Sequence, residues 1–329
     1  MARTDQLPVR LKALAFLMRR MPTGVRKFAW WWDRLYQSIG GGGFADNEAI
    51  DSLWPSGEHG PVRIGRFGYK VVLDLRAFPE RRTYFIGSYI QEDLEYLFPA
   101  ILRRGDQYLD IGANIGMTTL MASALIGPEG KGFAFEPNPE VFARLKRHLE
   151  LNGTSNIEAV PFALSNREAE MSLVVPSRFT GLGSLAVNHD GSGRSYKVRT
   201  VIGRPYLERL DPSKPTVVKI DVEGHEVKAL SGIEEFLDRP DVAILSEVSV
   251  PLLRQAGDSA EALFELLTRH GFRPFVFNLQ RGRFQTKLMV AGFDSFRNAM
   301  PEDWCDFLFA KPDSKLYRER IAPLLALGR

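Results

Sequence analysis

The sequence lacks the two features that would place it outside the cell or across a membrane, namely cysteine pairs and long apolar runs. Its 329 residues contain a single cysteine, Cys305, which excludes an internal disulfide and a cysteine-rich zinc cluster. The apolar run at 13–18 is six residues long, whereas a membrane-spanning helix needs roughly 18 to 20. The run is also too short for a signal peptide. We therefore expect a cytoplasmic protein.

The chain also has little excess of charge, and this excess is unevenly distributed. The net charge is +3, but residues 1–36 hold eight Lys and Arg against two Asp, which leaves −3 for the remainder. A nucleic-acid-binding protein would spread positive charge over its working face. We therefore expect that the protein does not bind nucleic acid.

The basic N-terminal segment, residues 1–43, shows two helical apolar patterns that break near Pro22 and end at the glycines of 40–43. Three consecutive tryptophans at 30–32 lie beside basic residues, a composition that suits a headgroup boundary with anionic lipid. One hypothesis is therefore peripheral contact of residues 1–39 with the inner face of the membrane. The alternative is that both apolar stripes pack on the main domain or on a second subunit of a homo-oligomer.

The rest of the chain divides by composition into a small β cap at 44–92, a main domain at 93–312 and a helical tail at 313–329. From Asp93 onward, short apolar runs alternate with helix-length amphipathic segments, the pattern of a parallel sheet covered on both faces. We predict an α/β fold with a doubly wound, mostly parallel seven-stranded sheet. The predicted cap strands are 62–67, 70–75 and 82–86, the main strands are 107–111, 132–135, 157–162, 217–220, 242–247, 273–278 and 307–311, and the main helices are 116–125, 139–152, 223–237 and 259–270.

The most informative segment runs from Asp110 to Gly116 and reads Asp-Ile-Gly-Ala-Asn-Ile-Gly. It follows an apolar run and precedes a helical pattern, so that Gly112 and Gly116 fall at a strand-to-helix turn. Glycines at such a turn let the backbone approach a nucleotide closely. Because many turns contain two or three glycines, this spacing needs a second signal.

The second signal is Glu136, which ends the next predicted strand 24 residues after Gly112. An acid at this place can accept both hydroxyl protons of a ribose, which NAD and S-adenosylmethionine (SAM) share. Asp110 separates the two cofactors, because an acid before the first glycine repels a pyrophosphate but can hold the ammonium of a methionine moiety. The sequence therefore favours SAM. The alternatives are a turn acid at Asp110 and a helix-capping acid at Glu136.

A third group of polar residues follows the predicted strand at 217–220. Asp221, Glu223 and His225 lie at its carboxyl end, where doubly wound sheets bind ligands, and Glu247 ends the next strand. The three acids can orient a substrate hydroxyl, accept its proton or hold Mg²⁺, with Asp221 and Glu247 as the candidate metal ligands. An imidazole titrates near neutrality, which makes His225 a second candidate base. Alternatively, Glu223 and Glu226 merely favour the first turn of a helix.

Taken in order, these motifs resemble the signatures of FkbM-type SAM-dependent methyltransferases over about residues 83–250. The resemblance implies a class I, Rossmann-like methyltransferase fold and O-methylation of a hydroxyl on a sugar or other natural product. Ile90, in the segment that leads into the domain, stands where the family commonly has a glutamate. The residues that the resemblance places at the cofactor are Tyr84, Asp110, Gly112, Ala113, Asn114, Gly116, Glu136 and Asp221.

In this interpretation, Asp221 or His225 accepts the hydroxyl proton, while Glu223 and Glu247 position the acceptor or a divalent cation. A nucleic-acid methyltransferase is the first rival, but amino-directed enzymes of that group commonly carry an Asn/Asp-Pro-Pro-aromatic tetrapeptide where this chain reads Asp-Val-Glu-Gly. A nicotinamide-dependent oxidoreductase and a non-catalytic nucleotide-fold scaffold with a membrane-binding head are the other rivals.

Overall fold

The computed structural model describes residues 57–176, 185, 193–281, 286–292 and 304–326. The predictions made for residues 1–43 lie outside this part of the chain. The chain separates into a first unit that ends at Glu92 and a second unit that begins at Asp93. Within the described residues, none of the helices is long and apolar enough to cross a membrane.

The first unit is a hairpin followed by a helix. Strands β1 (Glu58–Ile64) and β2 (Tyr69–Asp74) pair antiparallel, as predicted, and helix α1 spans Phe78–Ile86. The predicted strand at 82–86 is therefore wrong. Proline in the first turn of α1 suits a helix start, and Gly87 ends the helix in the left-handed conformation while its N–H donates to the Thr83 carbonyl at 2.8 Å. These end signals override the strand preference of the residues between them.

The second unit is built on an eight-stranded, mainly parallel sheet, which confirms the predicted α/β class. The strand order is β12-β11-β13-β10-β9-β3-β4-β5, and only β12 and β13 run against the other six. A separate small sheet has the order β6-β8-β7. The strands are β3 Gln107–Ile111, β4 Lys131–Phe135, β5 Ile157–Val160, β6 Ala163–Leu164, β7 Ala169–Pro176, β8 Gly193–Val201, β9 Thr216–Ile220, β10 Val242–Ser249, β11 Arg273–Arg281, β12 Thr286–Gly292 and β13 Trp304–Ala310.

The prediction of seven strands in the main sheet was one short. Strand β11 continues to Arg281, beyond the predicted end at 278, and residues Phe275 to Arg281 pair antiparallel with β12. Because a hairpin partner satisfies the backbone groups that an edge strand leaves open, the longer β11 and the additional β12 form together. The prediction placed β11 correctly but ended it three residues early, and it did not include β12.

Ten α-helices and one π-helix lie in the described part of the chain. The predicted helix at 223–237 is wrong in extent, because residues 221–225 form a loop and two short helices follow. The break falls at Gly232, where a Cβ atom would lie 2.0 Å from the Ser165 carbonyl oxygen. Besides α1, the helices are α2 Leu94–Ile101, α3 Met117–Ile126, α4 Pro139–Leu151, α5 Arg204–Leu207, α6 Glu226–Ser231, α7 Glu234–Leu237, α8 Val250–Gln255, α9 Ala260–Arg269, the π-helix Tyr317–Ile321 and α10 Ala322–Ala326.

The strand order reverses between β3 and β9 in the middle of the sheet. From β3 the chain adds β4 and β5 on one side, and it later adds β9 and β10 on the other. Because crossovers between parallel strands are right-handed, the helices of the two halves cover opposite faces. The continuous apolar core includes Leu109, Phe133, Ile220 and Ile244. The reversal leaves a crevice at the carboxyl ends of β3 and β9, where sheets of this kind bind ligands.

Candidate active site

Side-chain alternation brings charged residues of neighbouring strands to one face of the sheet at this crevice. Asp110 on β3 is the register partner of Lys219 on β9, so that both side chains point to the same face. Asp221 follows two residues after Lys219, and its Oδ2 lies 3.1 Å from the Lys219 Nζ atom. On the other side, Ala134 of β4 is the register partner of Asp110, and Glu136 follows two residues later.

Strands β10 and β13 continue this arrangement across the sheet. Leu245 of β10 is the register partner of Lys219, so that Glu247, two residues further, lies on the same face as Lys219. Asp306 of β13 lies directly opposite Glu247 in the antiparallel pair. In their order across the sheet, we call Glu136, Asp110, Asp221, Glu247 and Asp306 the carboxylate row.

The turn after β3 approaches β9 so closely that only glycine fits at position 112. Gly112 has a φ of +84°, and a Cβ atom there would lie 2.0 Å from the backbone oxygen of Asp221. The N–H groups of Gly112 and Ala113 both donate to the Phe135 carbonyl, at 3.0 and 2.9 Å. The turn is therefore fixed against both neighbouring strands, and Gly116, with a φ of +90°, leads from it into α3.

Asn114 and Glu136 fix the far side of the same turn. Asn114 has a φ of +50°, and its N–H donates to Glu136 Oε2 at 2.9 Å. The N–H of Asn138 donates to Glu136 Oε1 at 2.9 Å. Burial raises the pKa of Glu136 to about 7, against the opposing effect of these two hydrogen bonds. Each carboxylate oxygen keeps a second acceptor site, as the predicted binding of ribose hydroxyls requires.

Asp110 lies fully buried at the base of the turn. Its Oδ2 accepts hydrogen bonds from the hydroxyls of Thr118 and Thr119, at 2.9 and 2.6 Å. Its Oδ1 has no hydrogen-bond partner among the described residues, and burial raises the pKa of the carboxyl. A buried acceptor without a donor costs free energy, which a cationic N–H donor would recover. The residue thus fits the predicted ammonium site.

The loop that carries Asp221 and Glu223 is held by Glu226, the first residue of α6. Glu226 Oε1 accepts the N–H groups of Val222 and Gly224, at 3.2 and 3.1 Å. This arrangement accompanies a left-handed conformation at Glu223, whose φ is +52°. Glu223 and Glu226 therefore have separate positions, one in the loop and one at the start of the helix.

Sequence reasoning assigned no role to two charged members of this site, Lys219 and Asp306. The Lys219 side chain is 8% exposed although it lies in an otherwise apolar strand. A lysine at such a position requires carboxylate partners, and this was the available signal. Asp306 was missed because the predicted strand began at 307, one residue after it.

The acids on the β10 side of the site are protonated more readily than usual. Burial, and after it the neighbouring Asp221, raise the pKa of Glu247 to about 9, of Glu223 to about 8 and of Asp306 to about 7. Lys219 opposes this effect on each of them. Carboxyl groups therefore outnumber cations at this site, and a cationic ligand would lower their pKa values and stabilise their charged forms.

His225 lies apart from the carboxylate row. It is buried, and its Nε2 lies 3.0 Å from the hydroxyl oxygen of Ser165. Burial, assisted by Lys228, lowers its pKa to about 4. An imidazole with so low a pKa is a weak base. The structure thus brings together Asp221, Glu223 and Glu247 of the predicted catalytic residues but leaves His225 in other contacts.

The predicted metal ligands, Asp221 and Glu247, do not form a metal site as they lie. Within the described ranges, no group of three or more His, Cys, Asp or Glu residues is arranged to hold a metal ion. The ammonium of Lys219 instead occupies the cation position beside Asp221. A metal requirement stays a prediction.

Tyr84, the remaining predicted cofactor residue, lies in the first unit near the end of α1. Its ring contacts those of His59 and Phe85, with centroid distances of 6.1 and 5.3 Å. Its contact with a cofactor stays a prediction.

The doubly wound sheet, the glycine turn and the acid after the second strand together define a nucleotide-binding type of fold with a candidate site at the strand reversal. A family model described as the methyltransferase FkbM domain matches residues 110–274, half of the chain. The chain therefore belongs to the FkbM methyltransferase domain family. This match confirms the resemblance to a family of methyltransferases that the motifs indicated.

Two curated relatives match parts of the chain. Hexuronic acid methyltransferase AglP of Haloferax volcanii is 30% identical over 155 residues, which cover 47% of this chain and 61% of that protein. Methyltransferase sdnD of Sordaria araneosa is 30% identical over 161 residues, 39% of this chain and 60% of that protein. The chain thus spans about three fifths of the length of these two relatives.

Among solved structures, the chain is similar to a precorrin-6y C5,15-methyltransferase from Geobacter metallireducens GS-15. The TM-score is 0.37 and the sequence identity 14%, with 68% of this chain and 90% of that chain covered.

Proposed function

We propose that the protein is a SAM-dependent O-methyltransferase that acts on a hydroxyl group of a small molecule, foremost a sugar or glycan. The observation that carries the proposal is the acidic composition of the site. Among the described residues, the carboxylate row and Glu223 supply six carboxyl groups beside the one ammonium of Lys219. SAM carries an ammonium and a sulfonium, whereas NAD carries a diphosphate, so that an acidic site favours SAM.

The residues around the glycine turn suit the parts of SAM. Glu136 would accept the ribose hydroxyls, the unpartnered Oδ1 of Asp110 would accept from the ammonium, and Gly112 admits the ligand beside the backbone. When bound, SAM supplies a methyl group from its sulfonium to the acceptor oxygen. The electron pair of the broken C–S bond stays on the sulfur atom. The contribution of this chain is to align the acceptor and to exclude water.

Asp221 is the residue to which we assign the acceptor's hydroxyl proton. Its side chain is 25% exposed and lies at the strand reversal beside the glycine turn, so that an acceptor can reach it. The ion pair with Lys219 fixes one of its carboxylate oxygens at 3.1 Å from the ammonium. Glu223 and Glu247, which hold protons more readily, then serve to hydrogen-bond the acceptor.

The acceptor class is supported by one relative and by the charge of the site. A methyltransferase that acts on hexuronic acid is 30% identical to this chain, which favours a sugar. The acidic site, however, would repel the carboxylate of a uronic acid. We therefore expect a neutral sugar hydroxyl to be the better acceptor.

A methyl-transfer assay run in parallel with unlabelled and deuterium-labelled SAM tests this proposal. The purified chain is incubated with a panel of neutral sugars, hexuronic acids and cell extract fractions, once with ordinary SAM and once with trideuteromethyl-SAM. True products appear in the mass spectrum as pairs separated by three deuterium-for-hydrogen replacements. The Asp221→Ala variant should bind SAM and give no pairs. An absence of pairs with the wild type would contradict the proposed activity. Pairs formed at the same rate by Asp221→Ala would contradict Asp221 as the proton acceptor.

A further inference from the structure

Lys219 lies at the centre of the charged face of the sheet. Its register partners are Asp110 on β3 and Leu245 on β10, and Asp221 follows it on its own chain segment. Its Nζ lies 3.1 Å from Asp221 Oδ2, and its side chain is 8% exposed. A lysine in the middle of a buried strand thus brings its ammonium to the acidic end of the crevice.

Acidic groups surround the ammonium of Lys219. Burial raises the pKa of Asp110 and Glu136 on one side and of Glu223, Glu247 and Asp306 on the other, and Lys219 opposes this rise at each of them. These groups belong to β3, β10 and β13, to the end of β4 and to the loop after β9. Their carboxylate forms stabilise the ammonium.

Asp221 lies in direct contact with the ammonium, and its side chain is partly exposed. Its backbone is fixed as well, because its N–H donates to the Ile111 carbonyl at 3.0 Å and its carbonyl oxygen packs against Gly112. With its backbone held by β3, the remaining freedom of Asp221 is the rotation of its carboxylate. The ammonium restricts this rotation.

We propose that Lys219 is a positioning residue for methyl transfer, which acts by orienting the carboxylate of Asp221 toward the place where the methyl group is transferred. This inference rests on the proposed function, since it assumes that SAM binds in the crevice. Lys219 itself does not accept a proton. It holds one oxygen of Asp221 and leaves the other directed at the ligand.

Two analogues of the cofactor make the orientation measurable without knowledge of the acceptor. S-adenosylhomocysteine lacks the transferred methyl group, whereas sinefungin carries an amino group on carbon at that place. A correctly oriented Asp221 carboxylate binds this amino group and has nothing to bind in S-adenosylhomocysteine. The ratio of the two dissociation constants, measured by isothermal titration, therefore reports the orientation of Asp221.

The test compares the wild type with Lys219→Met, Lys219→Arg and Lys214→Met. We expect the wild type to prefer sinefungin by about tenfold or more, as befits one charge-assisted hydrogen bond. Lys219→Met should lose this preference while its affinity for S-adenosylhomocysteine changes by less than about threefold. Lys219→Arg should retain most of the preference, because a cation remains beside Asp221. Lys214, whose Nζ donates to the Glu129 carbonyl at the opposite end of β9, is the matched control.

Three results would overturn the inference. The first is a Lys219→Met variant that prefers sinefungin as strongly as the wild type does. The second is a folded Lys219→Met variant that loses the same affinity for both analogues. The third is a wild type that binds S-adenosylhomocysteine without preferring sinefungin. If Lys219→Met does not fold, Asp221→Asn takes its place in the comparison. This variant should lose the preference for sinefungin, and a retained preference would overturn the inference. A wild type that binds neither analogue would instead overturn the proposed function.

Discussion

At the scale of single residues, the close approach of Gly112 to Asp221 can be tested against a glycine with the same backbone conformation. Gly112 and Gly105 have φ values of +84° and +86°, but a Cβ atom at position 105 would meet nothing within 4 Å. Both alanine variants pay about 1–2 kcal/mol for the left-handed conformation. Gly112→Ala should in addition displace the loop of Asp221 and abolish SAM binding, whereas Gly105→Ala should bind SAM normally. Equal SAM affinity of the two variants, measured by titration, would contradict this account of the turn.

The raised pKa of Glu247 predicts a dependence of stability on pH. The folded chain holds a proton on Glu247 up to about pH 9, whereas the unfolded chain releases it near the ordinary value of 4.5. Stability from this group is therefore complete below pH 4.5 and is lost as the pH rises toward 9.

The corresponding variant is Glu247→Gln, which carries no titrating proton. Between pH 6 and pH 9, the melting temperature of the wild type should fall by about 3 °C more than that of Glu247→Gln. Glu265→Gln, at an exposed position of α9, should behave like the wild type. Parallel melting curves of all three proteins across this range would show that Glu247 has an ordinary pKa.

At the scale of elements, the loop between β9 and α6 depends on a single carboxylate. Glu226→Ala removes the acceptor of the Val222 and Gly224 N–H groups, so that the loop loses its support for Asp221 and Glu223. Turnover in the methyl-transfer assay should fall by about tenfold or more, while SAM affinity at the separate β3 turn changes by less than about threefold. Glu235→Ala, an acid in the first turn of α7, is the control for helix-end charge. Equal turnover of the two variants would contradict a role for Glu226 in holding the loop.

The elements also show which parts of the fold were predictable. The strand at 107–111 and the helix at 139–152 were predicted almost to the residue, because an apolar run or an amphipathic stripe marks each of them. The segment at 82–86 has strand-forming residues, but the end signals of a helix decided its structure. The loop at 221–225 was not predicted, because its acids also suit the start of a helix. The position of Glu226 in the structure shows why the helix begins at that residue.

The residues of the site could be predicted where a short sequence motif marks them. They could not be predicted where their neighbours come from another strand of the sheet. Asp110, Gly112, Glu136 and Asp221 stand next to turn glycines or strand ends, and the structure places them at one crevice, while their roles stay predictions. The neighbours of Lys219 and Asp306 follow from the register of β9 with β3 and of β13 with β10, and the sequence alone does not give this register.

At the scale of the whole molecule, the uneven distribution of basic residues along the chain predicts how the chain partitions between water and membrane. Residues 1–36 carry eight basic residues against two acidic ones, and basic segments with tryptophan bind anionic lipid surfaces. The intact chain should therefore float with vesicles that contain phosphatidylserine, less so at high salt, and a chain without residues 1–43 should not. Equal flotation of the two chains would assign the basic segment to protein packing.

The central claim is that the acidic crevice binds SAM through the ammonium at Asp110 and the ribose at Glu136. Isothermal titration with SAM, 5′-methylthioadenosine and NAD tests it directly, since methylthioadenosine keeps the ribose but lacks the amino acid tail. Asp110→Asn should weaken SAM by about tenfold to a hundredfold and leave methylthioadenosine unchanged, whereas Glu136→Gln should weaken both ligands. Tighter binding of NAD than of SAM by the wild type, or unchanged SAM affinity in Asp110→Asn, would contradict the account.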